Sequence, residues 1–208
     1  MGRYTGPVCR LCRQVGEKLF LKGARCYTPA CAVERRHRPP GTARQTRRRS
    51  SEYGVRQREK QKLRYSFGLL ERQFNGYVER AQAMPGITGQ YLVQLLERRL
   101  DNVVFRLGFA ESRNNARQLV LHGHVTVNGR KLDIPSAILK AGDVVTWRES
   151  AKQKEFVKSR MAEGPRSAVP GWLSLDAAAM EGKVLSLPQA GDSDVKMDTR
   201  LIVEFYTR

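Results

Sequence analysis

The stretch that most restricts the fold is 112–129, SRNNARQLVLHGHVTVNG, because its structural period changes in the middle. Ser112 is an N-cap type whose hydroxyl accepts an orphan backbone N–H of a first helical turn. Ala116, Leu119 and Val120 follow at i, i+3 and i+4 and make one narrow apolar face. Gly123 stands where a left-handed C′ residue closes such a helix. Arg113 and Arg117 share another side at i, i+4 spacing, with Asn114 beside them. Beyond Gly123 the period falls to that of a strand: Val125 and Val127 face one way, Thr126 and Asn128 the other. Asn128-Gly129 is the signal of a type I′ hairpin turn. The stretch predicts a short basic helix joined to a β-hairpin, with His122 and His124 at the joint.

On either side of it the patterning is helical before and strand-like after. A helix is expected over 51–64, with Arg56, Lys60 and Arg64 in one i, i+4 line and a thin apolar stripe of Tyr53, Val55, Leu63 and Phe67. A second is expected over 70–83, ended by Met84-Pro85-Gly86. A third has Leu92, Leu96, Leu100, Val103 and Leu107 on one face and closes at Gly108. Strands are expected at 131–134 and 144–148, a Lys-rich surface helix at 151–162, and further strands at 173–175 and 184–187. The segment 201–206 alternates like a strand, while Asp198 as N-cap suits a short helix. The apolar positions are core positions and carry no chemistry.

A chain of 208 residues can bury enough surface to fold unaided. Its formal net charge of +18 points to a polyanionic partner, nucleic acid or an anionic membrane surface. No run of 18 apolar residues exists to span a bilayer, and the N-terminus lacks the apolar core of a signal peptide, so an intracellular chain is expected. Residues 1–64 hold eighteen Lys and Arg against four acids, so most of the excess sits in the first third. Fourteen of the eighteen are Arg, which suits bidentate recognition of phosphates and stacking on bases.

All four cysteines lie in that basic third: Cys9, Cys12, Cys26 and Cys31. C-x2-C and C-x4-C pairs thirteen residues apart fit a tetrahedral four-thiolate zinc site. The same thiolates serve an iron–sulfur cluster, which remains the alternative cofactor. Two disulfides would require an oxidising compartment, and a thioredoxin-like pair would want a βαβ context that is absent. His37 is near enough in sequence to replace a ligand, but the cysteines already complete the set. Four protein ligands leave no open position, so the expected role is structural. The ion would hold Arg10, Arg13, Lys18, Lys22 and Arg25 in fixed positions. Residues 32–50 follow, with Pro39-Pro40-Gly41 and few apolar side chains. They predict an extended basic arm that orders on RNA.

No catalytic constellation is expected. His122 and His124 bracket a glycine without an evident nucleophile or carboxylate, and no phosphate-cradling glycine loop precedes a helix.

The central stretch, with LERRLDNVVFRLGFA upstream and DIPS and GD downstream, resembles the small RNA-binding fold named after bacterial small-subunit ribosomal protein S-four. The opening MGRYTGPVCRLC, RRHRPPG, VRQREKQKLR and the closing LIVEFYTR extend the resemblance to the ribosomal S-four family over nearly the whole chain. It implies an α+β fold: a four-cysteine metal module and basic arm (1–50), a helical domain (51–92, completed by 195–208) and an inserted helix–hairpin RNA-binding domain with a small, mostly antiparallel sheet (93–194). The family's last segment returns as a helix to the helical domain, which favours a helix at 201–206. The resemblance implies a structural, non-enzymatic constituent of the small subunit and a primary binder of 16S rRNA that nucleates assembly. It further implies contact with ribosomal protein S-five and with mRNA where it enters, influence on decoding accuracy and repression of its own operon. A free-standing RNA-binding regulator or nucleic-acid chaperone is the alternative.

Three contact layers are expected. Arg3, the metal module's cations and Arg35, Arg36, Arg38, Arg44, Arg47, Arg48 and Arg49 of the arm would reach between RNA helices. Arg56, Arg58, Lys60, Lys62 and Arg64 would follow a backbone groove. Arg113, Asn114, Arg117, His122, Asn128, Arg130 and Lys131 would form the inserted domain's own RNA face.

Overall fold

The computed structural model describes residues 2–36, 38–41 and 51–207. His37, and with it Arg44, Arg47, Arg48 and Arg49 of the arm, lie outside the described residues. The chain divides into two compact units, residues 1–92 with 194–208 and residues 93–193.

The first unit opens with α1 (Cys9–Val15), a 3-10 turn at Gly23–Tyr27 and α2 (Ala32–Arg35). These short pieces fold round a small cluster of Cys12, Val15, Leu19 and Leu21, against which Tyr65 of the next helix packs. That helix, α3 (Glu52–Ser66), is capped by Ser51, whose Oγ accepts from the Gly54 N–H at 3.2 Å. α4 (Glu71–Gln82) buries Phe74, Tyr77, Val78 and Ala81 at i, i+3, i+4 and i+7. The chain's last element is a helix, α10 (Thr199–Tyr206), with Asp198 accepting from the Arg200 N–H at 2.9 Å. It lies on α3: Ile202 is buried, and the Phe205 ring sits 5.5 Å from Tyr53.

The long helix expected before the central stretch is two helices, α5 (Thr88–Glu97) and α6 (Leu100–Arg106). The break has a definite cause. Arg99 forms an antiparallel bridge to Ile138, and the Leu100 N–H donates to Ala137 O at 2.9 Å. The Leu139 N–H donates to Arg98 O at the same distance, so backbone groups that would continue the helix are bonded to a distant segment.

α7 (Arg113–Leu121) and β1 (Val125–Val127) follow the expected order. Ser112 Oγ accepts from the Asn115 N–H at 3.3 Å. Asn128 and Gly129 have φ of 50° and 76°, the two left-handed residues of a type I′ turn. β2 (Arg130–Lys131) is shorter than the pattern suggests, and β3 (Val144–Trp147) follows. α8 (Glu149–Lys152) and α9 (Glu155–Glu163) replace the single surface helix expected there. β4 (Leu173–Asp176) and β5 (Glu181–Val184) complete an antiparallel sheet of order β2-β1-β3-β5-β4.

β5 begins three residues earlier than the expected strand. Asp176 accepts from the N–H groups of Ala178 and Ala179, both at 3.0 Å, which folds a tight turn and brings Glu181 opposite Asp176. Gly182 is required in β5, since a Cβ there would lie 2.3 Å from Leu107 Cδ1. The core joins α6 and α7 to the sheet through Val103, Leu107, Val120, Val125, Val145 and Trp147.

Candidate nucleic-acid interface

The basic residues of α3 are paired within the chain, with Glu71 of α4, with α10 and, for Lys62, with Glu17. Arg56 donates to Glu204 at 2.9 Å and pairs with Glu52 at 3.3 Å. Lys60, only 5% exposed, donates to Glu71 at 2.6 Å and lies 4.5 Å from the Phe205 ring centre. Lys62, 6% exposed, pairs with Glu17 at 2.7 Å, and Arg64 reaches Glu71 at 3.4 Å. All four thus have acidic partners within the chain, Lys60 and Lys62 buried and Arg56 and Arg64 half-buried, whereas the expectation for an RNA groove is of exposed cations. Arg56, Lys60 and Arg64 share one side of the helix as their spacing requires, and Glu71 and Glu204 meet that side. Arg58, on the opposite side, stays exposed.

Glu71 is the centre of this arrangement. Burial pushes its carboxyl up, but the hydrogen bond and charge of Lys60, aided by Tyr206 and Arg64, hold it below the usual carboxylate range. Burial and the Glu71 charge raise the Tyr206 hydroxyl, which stays protonated and donates to Glu71 at 3.0 Å. A carboxyl depressed in the folded state contributes stability above its unfolded pKa of about 4.3 and loses it as pH falls through the lower native value. The parent chain is thus expected to exceed Glu71→Gln in urea midpoint at neutral pH. The two midpoints should converge on acidification below about pH 4. A constant gap would mean that the carboxylate charge is not what anchors α10.

The arginines of α7 are also turned inward. Arg113 is 8% exposed and Arg117 only 3%. Arg113 Nε donates to Asn102 Oδ1 at 2.8 Å, and its guanidinium lies 4.7 Å from the Phe105 ring centre. Arg117 reaches Asp101 Oδ2 at 3.4 Å, and Arg99 grips the same carboxylate through two bonds of 3.0 and 2.8 Å. Asn102 in turn donates to Glu97 Oε2 at 2.7 Å. Arg113 and Arg117 thus belong to a buried network and not to a surface face. Asn128 is also committed, donating to Asp143 Oδ1 and accepting from the Val144 N–H, both at 2.9 Å. It pins the hairpin turn to the start of β3.

Other expected contacts are outward. In the second unit His122, Arg130 and Lys131 are exposed, with Lys131 3.5 Å from Asp133, while Asn114 is half-buried. In the first unit Arg3, Arg10, Lys22, Arg25, Arg35, Arg36 and Arg38 are exposed. Arg25 Nε is tied to Ala30 O at 3.1 Å, Lys18 pairs with Glu34, and Arg13 is half-buried. Of the contacts expected from the sequence, most of those that are exposed lie on the cysteine-bearing segment and its exit.

One basic patch was not legible. His124 packs edge-on against Phe156, ring centres 5.7 Å apart, and against His122 at 6.0 Å. Burial, then the charges of Lys154, His122 and Arg148, lower its pKa and favour the neutral imidazole. Phe156 is 45% exposed. The Lys-rich composition of 151–162 hinted at the charge, but nothing in it placed that segment beside His124.

All four cysteines are free thiols, and Cys12, Cys26 and Cys31 are buried. Burial pushes the Cys12 and Cys26 thiols up, and the neighbouring cysteines add to it in both cases. The Lys22 N–H points at Cys26 Sγ at 3.4 Å. The donor set is that of a four-thiolate centre. Among the described residues, however, no three His, Cys, Asp or Glu side chains are arranged to hold a metal ion. No helix among them is long and apolar enough to cross a membrane.

Comparison with known proteins fits this architecture. Residues 3–97 match the family model described as ribosomal protein S4/S9 N-terminal domain, and residues 98–145 match the S4 domain. The chain is 54% identical over 208 residues to small ribosomal subunit protein uS4 of Thermoanaerobacter sp. strain X514, covering 100% of each. It is 50% identical to uS4 of Halothermothrix orenii and 52% to uS4A of Symbiobacterium thermophilum, again with 100% of each chain covered. Identity at that level across the cysteine segment, the split helical unit and the inserted sheet unit shows that this chain belongs to the bacterial small ribosomal subunit protein uS4 family.

Proposed function

We infer that this chain is a structural constituent of the small ribosomal subunit that binds its 16S rRNA. End-to-end identity with uS4 proteins carries the reading, and the exposed guanidiniums of the first unit supply its chemistry. Binding proceeds by phosphate neutralisation over fixed cations, and no bond is made or broken. The chain should sediment with small subunits and prefer 16S rRNA to a scrambled competitor. Replacing the exposed Arg35 and Arg36 with Gln is expected to lower the slope of log affinity against log salt by about 1.5, two phosphate contacts' worth. Filter binding across a salt series checks this, and an unchanged slope removes both residues from the interface. A chain that stays off small subunits and binds RNA without preference would return the function to a free-standing regulator.

Cys9, Cys12, Cys26 and Cys31 would hold one structural zinc ion. Four free thiols, three of them buried in a segment with little core, support this. Bound zinc would stabilise the thiolates that burial disfavours and add folding free energy where apolar burial is small. Family resemblance extends the proposal to contact with ribosomal protein S-five, to mRNA where it enters the subunit, and to repression of the chain's own operon.

A further inference from the structure

A cleft of about 210 Å³ opens between α1 and α3, lined by Gln14, Gln57, Gln61, Arg58 and Tyr65, with Val15 and Gly54 completing its walls. Its chemistry differs from that of the phosphate-facing surface. Three carboxamides each carry a donor pair and an acceptor, the inventory that matches the edge of a nucleobase. Gln61 is already oriented, because its Oε1 accepts from Arg64 Nε at 2.8 Å and leaves the NH2 group to be presented. Tyr65 lines the cleft with an aromatic ring that already carries the Arg64 guanidinium 4.7 Å from its centre, leaving at most its other face to a base, and Arg58 supplies an exposed guanidinium for the attached phosphate. Among the described residues that line the cleft there is no carboxylate, thiol or imidazole. The volume falls short of the roughly 300 Å³ at which pockets for drug-sized ligands begin. One ring system fits, and a nucleotide cofactor does not.

We propose that this cleft receives a single unpaired nucleobase of the bound RNA, adding base-edge recognition to a protein otherwise reading phosphates. The inference rests on the RNA-binding role given above. It also ties that recognition to the cysteine segment, since Gln14 and Val15 belong to α1 and sit beside Cys12 in the chain.

Gly54 offers a test that spares the fold. A Cβ there meets only Ser51 Oγ, at an ordinary 3.4 Å, and Gly54 keeps its capping N–H whatever its side chain. Gly54→Leu thus fills the cleft, leaves charge unchanged and raises helix propensity. With the full chain and 16S rRNA, Gly54→Leu is expected to weaken binding by about 5- to 150-fold, the range for one stacked base, with an unchanged salt slope. Gln57→Ala, which removes one amide from the rim, should weaken it less. Dimethyl sulfate probing of the same complexes should show one adenine or cytosine protected by the parent and exposed again in both variants. If the parent binds 16S rRNA and Gly54→Leu binds equally well, the cleft holds no base while the ribosomal reading stands. A fall in salt slope alongside affinity would also overturn the proposal, since it would indicate lost phosphates. Normal RNA binding with failed incorporation into reconstituted subunits would assign the cleft to a protein side chain instead. If the parent itself ignores 16S rRNA, the ribosomal reading fails first.

Discussion

Replacing Cys12 and Cys26 together with serine is expected to unfold residues 2–36 while the second unit remains intact. The segment's own resources are small. Its helices α1 and α2 have 7 and 4 residues, well below the roughly 12–15 at which an isolated helix becomes marginal in water. Its buried cluster numbers four side chains, one of them Cys12 itself. Against this, a structural zinc ion contributes on the order of 10 kcal/mol of apparent folding free energy. If the four cysteines hold the proposed ion, removing two of them would remove most of that. Elemental assay should fall from one zinc per chain to none, and limited proteolysis should cut within 2–36. Trp147 and Trp172, both buried in the second unit, should keep their fluorescence and report that the damage is confined. A segment that resists proteolysis without metal would reduce the thiols to ordinary core. Iron with labile sulfide in the purified parent would replace zinc by a cluster.

The second large effect is expected at Asp101. Its carboxylate accepts from Nε and Nη2 along one edge of the Arg99 guanidinium, from Arg117 and from the Asn102 N–H at 3.0 Å. Asp101→Ala takes a shared counter-charge from two buried guanidiniums. Breaking a buried pair from one side costs about 3–5 kcal/mol, because the remaining charge has already left water. Urea denaturation followed by tryptophan fluorescence measures it directly in this unit. A change below about 1 kcal/mol would mean that water reaches the network, as at surface pairs. The same reasoning sets the outcome at Arg113 and Arg117. Changing both to Ala should lower stability while the salt slope of RNA binding stays as it was, the reverse of what surface residues would do.

The local signals in the sequence were dependable wherever chemistry and conformation coincide in one residue. Ser112 caps its helix, Asn128-Gly129 turns the hairpin, and Asp198 starts a helix where alternation alone left a strand open. What a single sequence could not convey was the far side of each charge. Arg56, Lys60 and Arg64 lie on one face as their spacing requires, but the acids that meet them are at 71 and 204. Arg113 and Arg117 look like a surface pair until Asp101 and Asn102, on the preceding helix, are seen beneath them. Spacing assigns a helix face. Only tertiary placement says whether water, an acid or a partner covers it. The break at Arg98 and Arg99 is of the same kind, since residues 137–139 are not neighbours in sequence. The Gln14–Tyr65 cleft escaped notice because its walls come from two helices and its amides carry no charge to attract attention.

The return of α10 onto α3 also sets an order of events during synthesis. Glu204 is 148 residues from Arg56, and Tyr206 is 135 from Glu71. Between emergence of α3 and arrival of α10 the whole inserted unit must be translated, and those 148 residues take roughly 7–30 s at elongation rates of about 5–20 residues per second. The insertion is contiguous and folds on its own schedule. Until α10 arrives Arg56 has only Glu52 of its own helix, and Lys60, paired with Glu71, lacks the cover of the Phe205 ring. The seam between α3 and α10 is therefore the last part of the first unit to gain its full set of charge partners.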